Sequence, residues 1–184
     1  SRHGLGEGPL VLFLGKITPR KRLDVVVKAF AAARPDARLV LAGNDMGGLA
    51  QALRLLNALG AADRTVVTGL LTGAARLEAL ADADVVVYPS SDEVFGLVPL
   101  EALMAGTPVV VAGDSGCGEV VRDVTGVTGG GCVVPVGDDA ALREAIDRVL
   151  TDRQTWRAAA TAAGRIVAQR FGAPAVARRR RSRD

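Results

Sequence analysis

The chain has few of the side chains that build disulfides, metal sites and base-stacking surfaces. Its 184 residues include two cysteines, one histidine and six aromatic residues. Two cysteines cannot form a disulfide framework, and one histidine cannot complete an ordinary zinc site. The scattered aromatic residues form no evident platform for nucleic-acid bases. We therefore interpret Cys117 and Cys132 as small structural residues of a reduced, cytoplasmic protein.

Long apolar runs are also missing, although 49% of the residues are hydrophobic. No run approaches the ~18–20 residues that a membrane-spanning helix needs. The N-terminus lacks the charged start and the apolar stretch of a secretory signal peptide. These absences again favour the cytoplasm.

Positive charge is concentrated at the C-terminus. The net charge is +3, but the last seven residues hold five arginines and one aspartate, so the rest of the chain carries a net −1. Such a run is typical of a solvated tail, and attraction to phosphates or anionic lipids is the alternative. We expect no nucleic-acid binding, while contact with the inner face of a membrane stays open.

Short apolar runs alternate with segments of helical periodicity. Six runs predict strands: Leu10–Leu14, Arg38–Ala42, Thr65–Thr68, Val85–Tyr88, Pro108–Ala112 and Cys132–Val136. One of the predicted helices carries Leu49, Leu53, Leu56 and Leu59 on one face. Short strands that are apolar on both faces belong to a parallel sheet covered by helices on both sides. The predicted fold class is α/β, a doubly wound, mostly parallel six-stranded sheet of Rossmann-like type.

The elements predict three parts of the chain. Residues 1–9 are interpreted as a leader or the remnant of an interdomain linker, residues 10–170 as the α/β domain, and residues 171–184 as a basic tail. The last helix of the domain is predicted from about Asp152 to Arg170.

Three loops follow strands at the edge where such sheets bind ligands. Residues 15–22 are basic, residues 89–97 are acidic and residues 113–119 are rich in glycine. Pro99 suits a first helical turn, which predicts a helix start near Phe95–Val98 whose N–H groups attract anions. Glu93 and Glu101 flank this start. They either bracket a bound phosphate and sugar, or offset the helix dipole and stay solvated.

The residues around this helix start resemble a family signature. The pattern Pro89-Ser90-x-x-Glu93-x-Phe95-Gly96-Leu97-x-x-x-Glu101, followed by Ala105-Gly106-x-Pro108, resembles the glutamate-x7-glutamate motif of retaining glycosyltransferases. The similarity is to the C-terminal, nucleotide-sugar-binding half of family-four enzymes with the GT-B fold. It runs over nearly the whole chain, and residues 10–170 would form the nucleotide-sugar-binding domain.

The resemblance implies transfer of a hexose from a nucleoside-diphosphate sugar to an acceptor hydroxyl, with the anomeric configuration retained. Lys16 and Lys21 fall on the basic pair that contacts the donor diphosphate, and Glu93 on the glutamate that reads donor-sugar hydroxyls. These three are the predicted catalytic residues. Where the family usually has arginine and glycine, this chain has Lys16 and Arg22, and Arg20 is a further phosphate candidate.

The resemblance also implies the residues that bind the donor. Glu101 would hold the ribose, and the loop ends would offer backbone atoms: Gly15, Phe95, Gly96 and Leu97 near the phosphates and sugar, and Gly69 and Leu70 near the base. The donor would be a UDP-sugar or a GDP-sugar. We expect no separate cofactor and no metal ion, because lysines and N–H groups supply the positive charge.

The family places its acceptor pocket on a separate N-terminal domain. The expected partner is therefore that missing domain of the same polypeptide, and the chain alone is expected to bind donor without transferring sugar. Two alternatives stay open: a non-catalytic nucleotide-sugar-binding module, and a sugar-nucleotide epimerase of the same architecture. Asp82-Ala83-Asp84 matches the metal-binding pair of another glycosyltransferase fold, but it precedes strand four and is interpreted as a helix-to-strand turn.

Overall fold

The strands of the protein coincide with the short apolar runs, and helices connect them. The computed structural model describes residues 8–91, 95–113 and 116–171. The strands are β1 Leu10–Leu14, β2 Arg38–Ala42, β3 Thr65–Gly69, β4 Val85–Tyr88, β5 Val109–Ala112 and β6 Gly131–Val134. The helices are α1 Leu23–Ala32, α2 Leu49–Ala58, α3 Gly73–Asp82, α4 Leu97–Met104, α5 Gly116–Thr125, α6 Asp139–Thr151 and α7 Arg153–Phe171.

The six strands form one sheet in the order β3-β2-β1-β4-β5-β6, and every neighbouring pair is parallel. The chain moves outward from β1 to β3 and then returns to the other side of β1 with β4. The strand order therefore reverses between β1 and β4, which is where doubly wound sheets bind their ligands. The predicted α/β fold class is confirmed.

Two apolar layers cover the faces of this sheet. One joins the sheet to α1, α2 and α6 around Phe30, Leu56 and Ile146. The other joins it to α3, α4, α5 and α7 around Leu80, Leu103 and Val121. β4 and β5 are buried along their whole length, because both of their faces are covered. Because α3 and α4 belong to the second layer, they lie on the same side of the sheet.

Helix α2 buries only part of the face that the four predicted leucines define. Ala52 and Leu56 are buried, whereas Leu53 and Leu59 are 39% and 45% exposed. α2 leads to the edge strand β3, so only one narrow stripe of the helix meets the core, and the small Ala52 occupies that stripe. Of the four leucines predicted on one face, Leu56 is buried and Leu49 packs against the core, while Ala52 takes the place that the prediction left out.

Two element boundaries near the ligand edge also differ from the prediction. β6 ends at Val134 rather than Val136, because Pro135 has no N–H to continue the ladder. The glycine-rich loop after β5 is shorter than predicted, since α5 begins at Gly116 and includes Cys117 and Glu119.

Helix α7 runs from the amino edge of the sheet to the carboxyl edge. Near its start, the Arg157 guanidinium donates to the Ala81 and Ala83 carbonyls at the end of α3. At its end, the Phe171 ring makes an edge-to-face contact with Phe95, with ring centroids 5.4 Å apart. Within the described ranges, no helix combines the length and the apolar character that crossing a membrane requires.

Candidate functional site at the carboxyl edge of the sheet

The ends of the first three strands are tied together. The Gly15 N–H donates to the Ala42 carbonyl at 2.9 Å, and the Gly43 N–H donates to the Gly69 carbonyl at 2.8 Å. Position 43 needs glycine, because a Cβ there would lie 1.7 Å from the Gly15 carbonyl oxygen. The loops after β1, β2 and β3 therefore start from one fixed edge.

Lys21 lies at the switch point between β1 and β4. A short 3-10 helix, Pro19–Lys21, carries it back over the sheet edge. The Lys21 Nζ donates to the Tyr88 hydroxyl at 2.7 Å and lies 4.7 Å from the centre of that ring. Tyr88 is the last residue of β4, and its ring lies beside Gly15. Gly15 and Lys21, which the sequence predicted as site residues, thus meet at Tyr88, which it did not.

Lys16 and Arg20 lie on the outer side of the same turn. Both side chains are exposed. The Ser91 hydroxyl donates to the Arg20 carbonyl at 3.3 Å, which connects the loop after β4 to the basic turn. Glu93, predicted to read the donor sugar, lies outside the described residues.

Arg22 adopts the left-handed conformation, with φ 52° and ψ 46°, immediately before α1. Among the described residues other than glycine, it alone has a positive φ. Its guanidinium pairs with Asp24 at 3.1 Å. That hydrogen bond raises the pKa of Arg22 despite partial burial. Burial alone would raise the pKa of Asp24, but the hydrogen bond and charge of Arg22, with backbone hydrogen bonds, lower it. Arg22 is thus held by Asp24, whereas Lys16 and Arg20 extend to solvent.

Helix α4 begins at this edge as the sequence predicted. Gly96 precedes it with φ 66° and, as a glycine, offers no side chain to cap the helix. The first N–H groups of a helix have no partner within the helix and carry partial positive charge. Leu97, the first helical residue, is 64% exposed. The start of α4 therefore presents backbone donors beside the loop after β4.

The Glu101 carboxylate is held by a residue that sequence reasoning missed. Arg76, one turn into α3, donates from its guanidinium to Glu101 Oε2, and both side chains are partly exposed. No sequence pattern indicates this ion pair, because the two residues are 25 positions apart on different helices. Only the packing of α3 beside α4 brings them together.

Gly69 and Leu70 lie at the far end of the same edge. Gly69 ends β3, and the Leu70 side chain is 68% exposed. Strands in a sheet are about 4.8 Å apart, so β3 lies about 14 Å from β4 across β2 and β1.

The remaining candidates lie in structural positions. The Leu10 N–H donates to Asp84 Oδ2 at 2.7 Å, and Asp84 also pairs with Arg153, at the start of β1 and away from the site. The Asp82-Ala83-Asp84 segment is the helix-to-strand turn that was predicted. Both cysteines are buried and neither forms a disulfide. Burial raises the pKa of the Cys132 thiol even though Arg148 lies 3.7 Å away. Among residues with described placement, no group of three or more His, Cys, Asp or Glu is arranged to hold a metal.

Comparison with known proteins identifies the family. A sequence model described as "Glycosyl transferases group 1" matches residues 2–165. The chain belongs to the group 1 glycosyl transferases. Its Rossmann-like fold matches that of glycosyltransferases with the GT-B fold, as the resemblance implied.

Individual relatives agree with this assignment. D-inositol 3-phosphate glycosyltransferase of Mycobacterium leprae is 41% identical over 136 residues, which cover 70% of this chain and 31% of that protein. The crystal structure of Anabaena HepE in complex with UDP and glucose superposes with a TM-score of 0.87 and 25% identity, covering 97% of this chain and 48% of HepE. This group 1 glycosyl transferase chain thus spans less than half the length of either protein.

The C-terminal domain of a group 1 family protein of Francisella tularensis, LpcC, has the same fold. The TM-score is 0.76 at 17% identity, and the match covers 90% of this chain and 87% of that domain. At this identity the likeness shows a shared fold.

Proposed function

We propose that this chain is the donor-binding half of a retaining glycosyltransferase, which transfers a hexose from a nucleoside-diphosphate sugar to an acceptor hydroxyl. The observation that carries the proposal is the position of Lys21. Its ammonium group lies on Tyr88 at the switch point of the sheet, beside the loop that leads to the start of α4. A side-chain cation and helix N–H donors suit a diphosphate at that place.

Each predicted residue has a role in this proposal. Lys16 and Lys21 bind the diphosphate, with Gly15 beside Lys21 and backbone N–H groups of Phe95, Gly96 and Leu97 completing the anion site. Glu101 accepts hydrogen bonds from the ribose, and Glu93 from the donor sugar. Gly69 and Leu70 contact the base through backbone atoms. The exposed, solvent-directed Lys16 would close on the ligand from the outer side.

The proposed chemistry needs stabilisation of a departing diphosphate. The bond from the anomeric carbon to the phosphate oxygen breaks as the acceptor oxygen bonds to that carbon on the same face. The acceptor proton passes to the departing phosphate oxygen. Lys16, Lys21 and the start of α4 face the charge that develops on the leaving group, which is catalysis by preorganised electrostatics.

The comparisons support a uridine nucleotide, with guanosine as the second choice. HepE, which resembles almost the whole length of this chain, is described in complex with UDP and glucose.

The acceptor would bind to the other half of a longer polypeptide, at the cytoplasmic side of the membrane. Orientation of reactants supplies ~7–11 kcal/mol of barrier reduction. The present chain alone would therefore bind donor without measurable transfer.

Thermal denaturation with UDP, GDP, ADP and their sugars tests donor binding. A ligand at 100 times its dissociation constant stabilises the folded state by about 2.7 kcal/mol. We expect Lys21→Ala to weaken nucleotide binding by about 1.5–3 kcal/mol, the range for hydrogen bonds to charged groups. Lys28→Ala is the matched control, since Lys28 is an exposed lysine in the middle of α1.

Stabilisation by none of the nucleotides, or equal losses in the Lys21 and Lys28 variants, would contradict the proposal. Transfer assays on a longer protein that contains this chain separate an enzyme from a binding module. In such assays, nuclear magnetic resonance of the product reports whether the anomeric configuration is retained.

A further inference from the structure

The ion pair between α3 and α4 has a consequence for nucleotide recognition. We propose that Arg76 is a positioning residue, which holds the Glu101 carboxylate in the orientation that accepts hydrogen bonds from the ribose hydroxyls of a nucleoside diphosphate. This inference rests on the proposed function, in which Glu101 faces the ribose. It adds a residue outside the signature that identified the family.

Both members of the pair lie close to the ligand edge. Arg76 is the fourth residue of α3, which starts shortly after the end of β3, and Glu101 is the fifth residue of α4. At 1.5 Å per residue, each side chain branches from its helix on the order of 5 Å from the helix start. The two helices begin on the same side of the sheet, so the pair bridges them near their N-termini.

Glu101 lies on the outer stripe of α4. Leu97, Glu101 and Met104 follow the spacing of one helix face, and Leu97 and Met104 are 64% and 58% exposed. The opposite face of α4 is buried through Ala102 and Leu103. The carboxylate is therefore free of the core and can meet a ligand, but it would be mobile if α3 did not supply a partner.

Arg76 is that partner, and it leaves acceptor sites of the Glu101 carboxylate unoccupied. The contact is to one oxygen, Oε2, whereas an ionised carboxylate offers about four acceptor sites on two oxygens. The planar guanidinium fixes its partner more narrowly than a lysine ammonium would. A side chain already held in place loses less conformational entropy when a ligand binds. Glu101 can thus accept from a ribose hydroxyl while Arg76 remains in place.

Arg76 contributes little to the core, so its removal isolates this role. The buried residue of α3 is Leu80, one turn further along the helix. The Arg76 side chain is 26% exposed and that of Glu101 36% exposed. Replacement of either residue leaves the apolar layer between α3, α4 and the sheet intact.

A double-mutant cycle on the full chain tests the inference by calorimetric titration with UDP, or with GDP or ADP where that nucleotide binds better. We expect Arg76→Ala to weaken binding about 3- to 30-fold, because contacting residues are energetically coupled. Arg76→Lys should restore part of the loss. In a Glu101→Gln background, Arg76→Ala should have little further effect. Arg143→Ala is the control, since it breaks the pair with Asp147 on α6 at the opposite face.

The dideoxy analogue of the same nucleotide, which lacks both ribose hydroxyls, distinguishes positioning from direct contact. The wild type and Arg76→Ala should bind it equally. Unchanged or tighter binding of UDP by Arg76→Ala would overturn the inference. An equal loss in the Glu101→Gln background, or with the dideoxy analogue, would overturn it as well, because Arg76 would then contact the ligand itself. Failure of the wild type to bind any of the three nucleotides would instead refute the proposed function and, with it, this inference.

Discussion

Arg22 has a backbone conformation that side-chain-bearing residues rarely adopt. Its φ of 52° lies in the left-handed region, and its carbonyl accepts the first hydrogen bonds of α1 from Val25 and Val26. The resemblance to the family implies glycine at this position, where no Cβ would oppose the turn. This chain keeps the turn and accepts the strain, with Asp24 holding the guanidinium.

Substitution of Arg22 tests whether this turn is strained. The left-handed conformation costs an L-residue roughly 1–2 kcal/mol, and glycine escapes that cost. Both variants lose the ion pair with Asp24. Arg22→Ala keeps the backbone strain, whereas Arg22→Gly relieves it. We expect the glycine variant to be more stable than the alanine variant by about 1 kcal/mol in urea unfolding.

Lys28, in the middle of α1, provides the control for Arg22. Lys28→Gly should be less stable than Lys28→Ala by about 1 kcal/mol, the ordinary order in a helix interior. If alanine is also the more stable residue at position 22, the left-handed conformation does not govern this turn.

At the scale of elements, α4 and α7 approach so closely that their contact admits no side chain at position 164. A Cβ on Gly164 would lie 2.1 Å from the Leu103 carbonyl oxygen. α7 continues from this contact to Phe171, which packs on Phe95 just before α4. The close contact therefore fixes α4, and with it the start of the helix that we assign to the phosphates.

Gly164→Ala should move the two helices apart. Overpacking of a tight contact costs typically about 1–3 kcal/mol, although alanine is the better helix former by about 1 kcal/mol. We expect a net loss of unfolding free energy in urea titrations, together with weaker nucleotide binding. Ala158→Gly, at an exposed site of the same helix, should lose only the helix-propensity difference of about 1 kcal/mol. A more stable Gly164→Ala protein would show that α7 can shift freely.

At the scale of the whole molecule, stability should fall in acid. Hydrogen bonding to Arg34 lowers the pKa of Asp36, and Arg22 lowers that of Asp24 against the opposing effect of burial. A carboxylate with a lowered folded-state pKa stabilises the protein above its unfolded value, about 3.9. This stabilisation is lost as the pH falls through the folded-state pKa, because the unfolded state then binds more protons.

We therefore expect the free energy of unfolding to decrease as the pH is lowered below about 5. Asp24→Asn and Asp36→Asn should each flatten that decrease while lowering stability at neutral pH. Denaturant titrations at a series of pH values measure the effect. If the wild type and a variant with both Asp24→Asn and Asp36→Asn lose the same unfolding free energy in acid, other groups govern the pH dependence.

The apolar runs of the sequence determined the strands of this protein. β1, β2 and β4 have the predicted bounds, because residues covered on both faces must be apolar throughout and such runs are visible without a structure. The alternation of strands and helices gave the doubly wound sheet, and the glutamate signature gave the family. The start of α4 followed from the place of Pro99 in its first turn.

The tertiary structure alone decided which residues meet. Lys21 contacts Tyr88 because the return of the chain places β4 beside β1, and Arg76 contacts Glu101 because α3 and α4 share one face of the sheet. The buried stripe of α2 also depended on its position at the sheet edge. Local sequence encodes periodicity and turns, but contacts between distant segments depend on strand order and helix packing, which arise only when the whole domain folds.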